Sequence, residues 1–84
     1  MLKKLYELWS TETQVFITVK SVHLKCVFVA VIESIYKTDT KVLLEFGDNS
    51  IEIDITENYV CSENEMIITC GDTTVKINWE VEEL

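Results

Sequence analysis

The residues of this chain with the clearest chemical potential are carboxylates, and they are concentrated in its second half. In FGDNSIEIDIT, residues 46–56, Glu52 and Asp54 alternate with three isoleucines. Successive side chains of a β-strand point to opposite faces, so this pattern predicts buried isoleucines and an outward row of carboxylates. The other carboxylates assigned to the same acidic surface are Glu45, Asp48, Glu57, Glu63, Glu65, Glu80 and Glu82.

The charge of the chain is unevenly distributed. Its 84 residues include 15 Asp and Glu against 7 Lys, which gives a net charge of −8, and arginine is absent. Residues 1–41 hold six lysines and four acids, whereas residues 42–84 hold Lys76 alone and eleven acids. Proteins that bind nucleic acid directly neutralise its phosphates with Lys and Arg, so we expect no direct nucleic-acid binding.

Metal and catalytic sites require groupings that this sequence does not offer. A calcium loop needs oxygen ligands at alternate positions, but in DNSIEIDITE, residues 48–57, the isoleucines that a sheet core would bury interrupt that pattern. Cys61 and Cys70 are nine residues apart, with no second pair of zinc ligands. The single histidine, His23, has no neighbouring nucleophile and orienting group. We therefore expect no metal, no cofactor and no enzymatic activity.

The cysteines and the apolar runs bear on location. Cys26, Cys61 and Cys70 are odd in number, show no CxxC spacing and follow no signal-peptide pattern, which indicates a reducing, cytoplasmic environment. We expect Cys61 to be exposed and the other two to pack in the fold. The longest apolar run, residues 26–32, is far shorter than the roughly 20 residues that span a bilayer, so no membrane segment is expected.

Two interpretations of the carboxylate row remain open. Alternate residues of a strand lie about 6.6 Å apart, close to twice the roughly 3.4 Å rise per phosphate along one DNA strand, so outward carboxylates can imitate a polyanion. Such a surface would dock in the basic groove of a nucleic-acid enzyme and exclude its substrate. In the other interpretation, the carboxylates are solvated charges that keep a sheet soluble and protect its edges.

A short amphipathic helix is predicted at the N-terminus. In residues 2–9, Leu2, Leu5, Tyr6 and Trp9 have the spacing of one helical face. Two turns are too few to form a stable helix alone, so we expect this helix to cover the core of its own domain.

The remainder of the chain has the period of β-strands. Two glycine-containing turns, GDNS and Gly71-Asp72, each join two alternating segments into a hairpin. The predicted inward residues are Val42, Leu44, Phe46, Ile51, Ile53, Ile55, Val75, Ile77, Trp79 and Val81. In the strand predicted at residues 13–20, Val15, Ile17 and Val19 lie on one face and Phe16 and Thr18 on the other. The polar stretch at residues 56–65 is predicted to be a connection.

Residues 22–37 form an unusually long segment whose middle is apolar on both faces. One face can line a core, but Val27, Val29 and Val31 on the other face also need cover. The N-terminal helix or a second subunit is the available cover, and with Leu43 these valines form a possible oligomer interface.

These patterns predict a single domain over residues 1–84, with a short helix at 2–9 and a β-rich region at 13–82. The predicted class is mainly β: a small curled antiparallel sheet or barrel of about six strands, because curling removes exposed edges. The order and proportions resemble the SH3-like or Sm-like small barrels in architecture only, and no function is carried over from that likeness.

The leading hypothesis is a small acidic inhibitor that binds a basic protein partner through its C-terminal half. Its most specific form is a phage or mobile-element protein that blocks a host nucleic-acid-handling enzyme, in the manner of DNA-mimic or anti-CRISPR proteins. The alternative is a structural or assembly module that forms homo-oligomers through an apolar sheet face. High salt would weaken the first kind of binding and not the second.

Overall fold

In a computed structural model, residues 2–54 and 58–80 are described, and within them the chain forms one helix and eight strands. The predicted class, mainly β with a short N-terminal helix, is confirmed. The elements are α1 (Leu2–Ser10), β1 (Gln14–Lys20), β2 (Lys25–Val31), β3 (Ser34–Lys37), β4 (Lys41–Phe46), β5 (Asn49–Asp54), β6 (Asn58–Cys61), β7 (Glu65–Cys70) and β8 (Thr73–Asn78). Within these ranges, no helix has the length and apolarity needed to cross a membrane.

The strands form two antiparallel sheets that do not close into a barrel. The first sheet has the order β2-β1-β8-β7-β6 and the second has the order β3-β4-β5. Of the two predicted forms, sheet or barrel, the barrel is therefore wrong, because the long segment at 22–37 breaks at Ile32 and Glu33 and its two halves join different sheets. The predicted strand number is also low, since this break adds β3 and the expected connection after residue 56 contains β6.

The two sheets and the helix share one apolar core. Buried side chains come from the five-stranded sheet, the three-stranded sheet and α1. They include most of the predicted inward set: Val42, Leu44, Phe46, Ile53, Val75, Ile77 and Trp79. In β1, the face of Val15 and Ile17 is the buried one. Val19 and Ile51 are partly buried against this cluster. Phe28 and Phe46 meet across the sheets, edge to face, with ring centroids 5.8 Å apart. Ile55 and Val81 lie outside the described residues.

The N-terminal helix covers the core of its own chain, but with a different stripe from the predicted one. Leu5 and Leu8 are buried, whereas Tyr6 and Trp9 are exposed. The helix does not cover the outer valines of β2, all of which remain exposed. The sequence pattern placed the apolar stripe one position off because Leu8 and Trp9 are both apolar and only the packing decides between them.

Both predicted hairpins are confirmed, and they use the same two-residue turn. Gly47-Asp48 joins β4 to β5, and Gly71-Asp72 joins β7 to β8. The glycines have φ of 69° and 58°, in the left-handed region that other residues adopt only at a cost. Glycine first with a positive φ, followed by aspartate, is the arrangement of a type II′ hairpin turn, whose twist matches that of the strands.

Glu33 connects three elements at the point where the chain leaves the first sheet. Its N–H donates to the backbone oxygen of Glu45 at 2.8 Å. Its carboxylate Oε2 accepts the N–H of Gly47 at 3.0 Å. Its backbone oxygen accepts a hydrogen bond from Trp9 Nε1, also at 3.0 Å. The helix, β4 and the first hairpin turn are thus all tied to one exposed residue.

Replacing Glu33 tests this connection. We expect Glu33→Ala to lower the free energy of unfolding by about 1 kcal/mol, because the Gly47 N–H loses an ionised acceptor, while Glu33→Gln keeps an acceptor and loses less. Urea denaturation followed by tryptophan fluorescence measures the difference. Glu80→Ala, at another exposed carboxylate, is the matched control. Equal losses in Glu33→Ala and Glu80→Ala would show that the hydrogen bond contributes nothing.

Candidate functional site

The structure distributes the predicted acidic residues over three places. Glu45, Asp48, Glu52 and Asp54 belong to the β4–β5 hairpin, and we call its outward side the hairpin face. Two others line a groove beside the helix: Glu63 and Glu80. The last described member, Glu65, lies at the start of β7. The two remaining predicted residues, Glu57 and Glu82, are outside the described part of the chain.

The hairpin face contains a lysine, Lys41, whose position beside the carboxylates depends on the register of the two strands. The register pairs Lys41 of β4 with Asp54 of β5, which puts a cation within the carboxylate row. Lys41 Nζ lies 2.8 Å from Glu52 Oε1. The hydrogen bond and the charge of Glu52, with the charge of Asp54, raise the pKa of Lys41 above its ordinary value. The row is therefore partly neutralised within the chain.

Glu65 is also paired within the chain. Its carboxylate lies 2.9 Å from Nζ of Lys76 on the neighbouring strand β8. Both side chains are partly exposed, so this pair contributes little to stability, but it compensates the charge of Glu65. Two of the predicted binding carboxylates, Glu52 and Glu65, thus already have cationic partners.

Beside the helix, acidic residues line a groove in the described part of the chain. It has a volume of about 630 Å³ and lies between α1, the start of β1 and the end of β8. Its charged lining consists of four carboxylates and one ammonium group: Glu7, Glu12, Glu63, Glu80 and Lys4. Leu8, Phe16 and Trp79 supply the apolar part of the wall. We call this feature the acidic groove.

The helix positions the first half of the groove. Lys4 and Glu7 are three residues apart, so they share one side of α1, and their charged groups lie 3.3 Å apart. Lys4 Nζ also lies 5.3 Å from the centroid of the Trp79 ring, within the range of a cation–π interaction. The groove therefore holds the chain's own ammonium group between a carboxylate and an aromatic ring.

The end of the helix positions Glu12 at the rim of the groove. Thr13 N–H donates to the oxygen of Leu8, and Glu12 N–H donates to the oxygen of Trp9, both at 3.1 Å. These two bonds form a Schellman cap, in which the residue after the cap adopts the left-handed conformation. Glycine usually occupies that position, but here Glu12 does so with φ of 52°. A carboxylate is thus held at the rim at a conformational cost.

The loop between β6 and β7 positions Glu63. Ser62 N–H donates to the oxygen of Glu65 at 2.8 Å, which closes the loop on itself. Trp79 N–H donates to the oxygen of Asn64 at 3.0 Å, which fixes the loop against the strand that leads to Glu80. Glu63 and Glu80, the chain neighbours of Asn64 and Trp79, both line the groove.

The residues considered for metal binding or catalysis in the sequence analysis can also be located in the structure. No group of three His, Cys, Asp or Glu side chains in residues 2–54 and 58–80 is placed to hold a metal ion. His23 is exposed in the turn between β1 and β2. Cys61 is exposed as predicted, but Cys26 is exposed as well, because β2 lies at the edge of its sheet. The arrangement of the groove suits the binding of a cation.

The structure brings together three of the four predicted oligomer-interface residues. Val27, Val29 and Val31 lie on the outer side of β2 in the five-stranded sheet. Leu43 belongs to β4 in the other sheet, where it pairs with Tyr36 and Glu52. The valines therefore form a continuous surface without Leu43.

The sequence analysis did not identify four groove residues: Lys4, Glu7, Glu12 and Trp79. The helical period placed Lys4 and Glu7 on the solvent side of α1, but it gave no signal that this side borders β8. Trp79 was predicted only as a core residue, and it is both buried and part of the groove wall.

Comparisons with protein-family models, with curated proteins and with solved structures found no match to this chain.

The Lys41 pair gives a pH-dependent prediction. The folded-state pKa of Lys41 is raised, so the interaction of Lys41 with Glu52 adds to the free energy of unfolding in full at neutral pH. This contribution disappears as the pH rises through the folded-state pKa of Lys41. We expect Glu52→Gln to return the pKa of Lys41 toward its ordinary value in an NMR titration. Glu45→Gln, on the same hairpin face, should leave the Lys41 titration close to that of the wild type. An unchanged titration in Glu52→Gln would contradict the assigned pairing.

The left-handed Glu12 gives a second prediction. Glu12→Gly should be about 1 kcal/mol more stable than Glu12→Ala, because both lose the carboxylate but only glycine adopts this φ without strain. Thermal or urea unfolding of the two variants measures the difference. If Glu12→Gly has the same free energy of unfolding as Glu12→Ala, the helix end is not held in the Schellman geometry.

Proposed function

We propose that this protein is a non-catalytic binding protein whose acidic groove takes a basic segment of another protein. The observation that carries the proposal is the combination of four carboxylates, one ammonium group and an aromatic wall in one concave site. The hairpin face holds a similar charge, with four carboxylates and Lys41, and it is secondary because the groove adds an aromatic wall in a concave site.

The chemistry of the groove favours a lysine or arginine side chain as the group that enters it. Such a cation gains from carboxylates on several sides and from contact with an aromatic ring. Lys4 already makes both kinds of contact, with Glu7 and with Trp79. An entering cation would share the remaining carboxylates or displace Lys4 toward solvent. The carboxylate of Glu12, kept at a strained position on the rim, supports the same interpretation.

The most specific form of the proposal concerns the kind of partner. A protein that presents clustered lysine or arginine in a nucleic-acid-binding groove would be attracted over a distance by a chain of net charge −8. Occupation of that groove would exclude nucleic acid without any chemical step. We therefore propose inhibition of a basic nucleic-acid-handling enzyme, the role that phage or mobile-element inhibitors fill, as the function to test first.

The test compares two double variants that remove the same charge from different places. Glu63→Gln/Glu80→Gln removes two carboxylates from the acidic groove, and Glu45→Gln/Asp48→Asn removes two from the hairpin face. Each tagged protein is used for capture from a bacterial lysate, with mass spectrometry, at low and high salt. We expect a basic partner to bind the wild type and the hairpin variant, and to be lost with the groove variant.

Salt provides the second part of this test. Raising the ionic strength from about 0.05 M to about 0.5 M should abolish capture by the wild type, since exposed charges are screened over a few ångströms at high salt. The proposal is overturned if the wild type still captures the partner at high salt and the groove variant still captures it as well. Loss with the hairpin variant alone would move the binding site to the β4–β5 hairpin.

A further inference from the structure

The outer edge of β2 differs from every other edge in the described sheets. β2 is the terminal strand of the five-stranded sheet and is seven residues long. The edge strands β3 and β6 have only four residues each, and the edge strand β5 carries Glu52 and Asp54. Natural edges are usually short, charged or interrupted by proline, which prevents pairing with another chain. β2, with the sequence KCVFVAV, has none of these protections apart from Lys25 at its start.

The hydrogen-bond pattern shows which backbone groups of β2 face this free edge. Ser21 N–H donates to the oxygen of Leu24 at 2.7 Å, at the end of the β1–β2 ladder. In an antiparallel pair the residues that exchange hydrogen bonds alternate along the strand. The backbone groups of Cys26, Phe28 and Ala30 therefore point to β1. Those of Lys25, Val27, Val29 and Val31 point away from the sheet.

The turn at Gly71-Asp72 gives an independent assignment of the backbone groups of β2 that point to β1. A two-residue hairpin turn is closed by a hydrogen-bonded pair, here Cys70 and Thr73. Thr74 therefore directs its backbone groups to Lys20 of β1, and Val19 directs its own to β2. Val19 pairs with Cys26, which agrees with the assignment from the β1–β2 turn.

The side chains next to these free backbone groups are apolar and exposed. Val27, Val29 and Val31 are 59%, 49% and 39% exposed. Each lies on the outer side of the sheet, in register with a residue of β1: Thr18, Phe16 and Gln14. The same strand thus offers both an unpaired backbone edge and an apolar surface.

The charge of the chain also favours close approach at this edge. Residues 13–32, which include β1 and β2, contain Lys20, Lys25 and His23 but no carboxylate. All 15 acidic residues lie outside this range. Two copies of a protein of net charge −8 would repel each other least through this part of the surface.

We propose that the free edge of β2 binds the same edge of a second copy of this chain, in antiparallel orientation around a two-fold axis. The register with Phe28 opposite Phe28 pairs the whole strand with itself and allows about eight backbone hydrogen bonds between the copies. Val27 of each copy then lies opposite Val29 of the other, so the valines form one apolar cluster across the axis.

The same register separates like charges. Lys25 of one copy lies opposite Val31 of the other, so the two lysines are about 20 Å apart along the paired strands. The two five-stranded sheets would become one continuous sheet of ten strands. This inference does not depend on the function of the acidic groove, whose carboxylates belong to other segments.

Sedimentation or light scattering over a range of concentrations tests the proposal on the intact chain. We expect the wild type to have twice its monomer mass of 9.7 kDa at high concentration. Val29→Lys puts a charge into the apolar cluster, and Val29→Pro removes an N–H that faces the free edge without breaking the β1 ladder. Each should raise the dimer dissociation constant at least about 100-fold. Val60→Lys, at an exposed valine on the opposite edge strand β6, is the matched control and should remain dimeric.

Amide hydrogen exchange provides a measurement that a different interface would not reproduce. The amides of Cys26, Phe28 and Ala30 should be protected at all concentrations, whereas those of Val27 and Val29 should become protected only where the dimer forms.

A wild type that stays monomeric up to about 1 mM overturns the proposal. A dimer that persists in Val29→Lys, or one whose Val27 and Val29 amides remain unprotected, overturns it equally. Circular dichroism of each variant identifies any that fails to fold, and Val29→Lys decides the matter if Val29→Pro does not fold.

Discussion

The transfer of the chain between its two sheets at Ile32 and Glu33 is the constraint on which the rest of the structure depends. Val31 belongs to the five-stranded sheet and Ser34 to the three-stranded sheet, so two residues must carry the chain from one to the other. Ile32 fills the core between the sheets and is 2% exposed. Glu33 accepts hydrogen bonds from α1 and from the first hairpin turn, and donates one to β4. The positions of the helix and of both sheets are therefore set together.

This transfer also determines which surfaces stay open. In a closed barrel every strand has two neighbours and no edge remains. Among the described strands, β2 pairs only with β1, and its continuation β3 joins the other sheet. The acid-free part of the chain is thereby left with a free edge, while the carboxylates collect around α1 and on the hairpin face. The two surfaces adjoin, because Phe16 lies beside Val29 and also lines the acidic groove.

The sequence predicted the parts of this fold that local periodicity determines. Alternation at Val42, Leu44 and Phe46, and at Val75, Ile77 and Trp79, identified core strands, and the glycine turns identified both hairpins. Alternation cannot say which sheet a strand joins, so the break at Ile32 and the short strand β6 were missed. The acidic site shows the same limit. Glu63 and Glu80 were among the candidates, but Glu7 and Glu12 approach them only through the packing of α1, and Lys41 reaches Glu52 only through the register of β4 with β5.

The two proposed surfaces have a joint consequence for binding. A two-fold dimer through β2 would carry two acidic grooves in a fixed relation, because each groove is built from α1, β1 and β8 of one chain. A partner with two basic segments at a matching distance would then be held by both grooves, and the second contact would be intramolecular. A single open groove, with screened charges and an internal lysine, would bind such a segment with only modest affinity. Pairing of the two grooves would convert this modest affinity into stable binding without any additional contact within either groove.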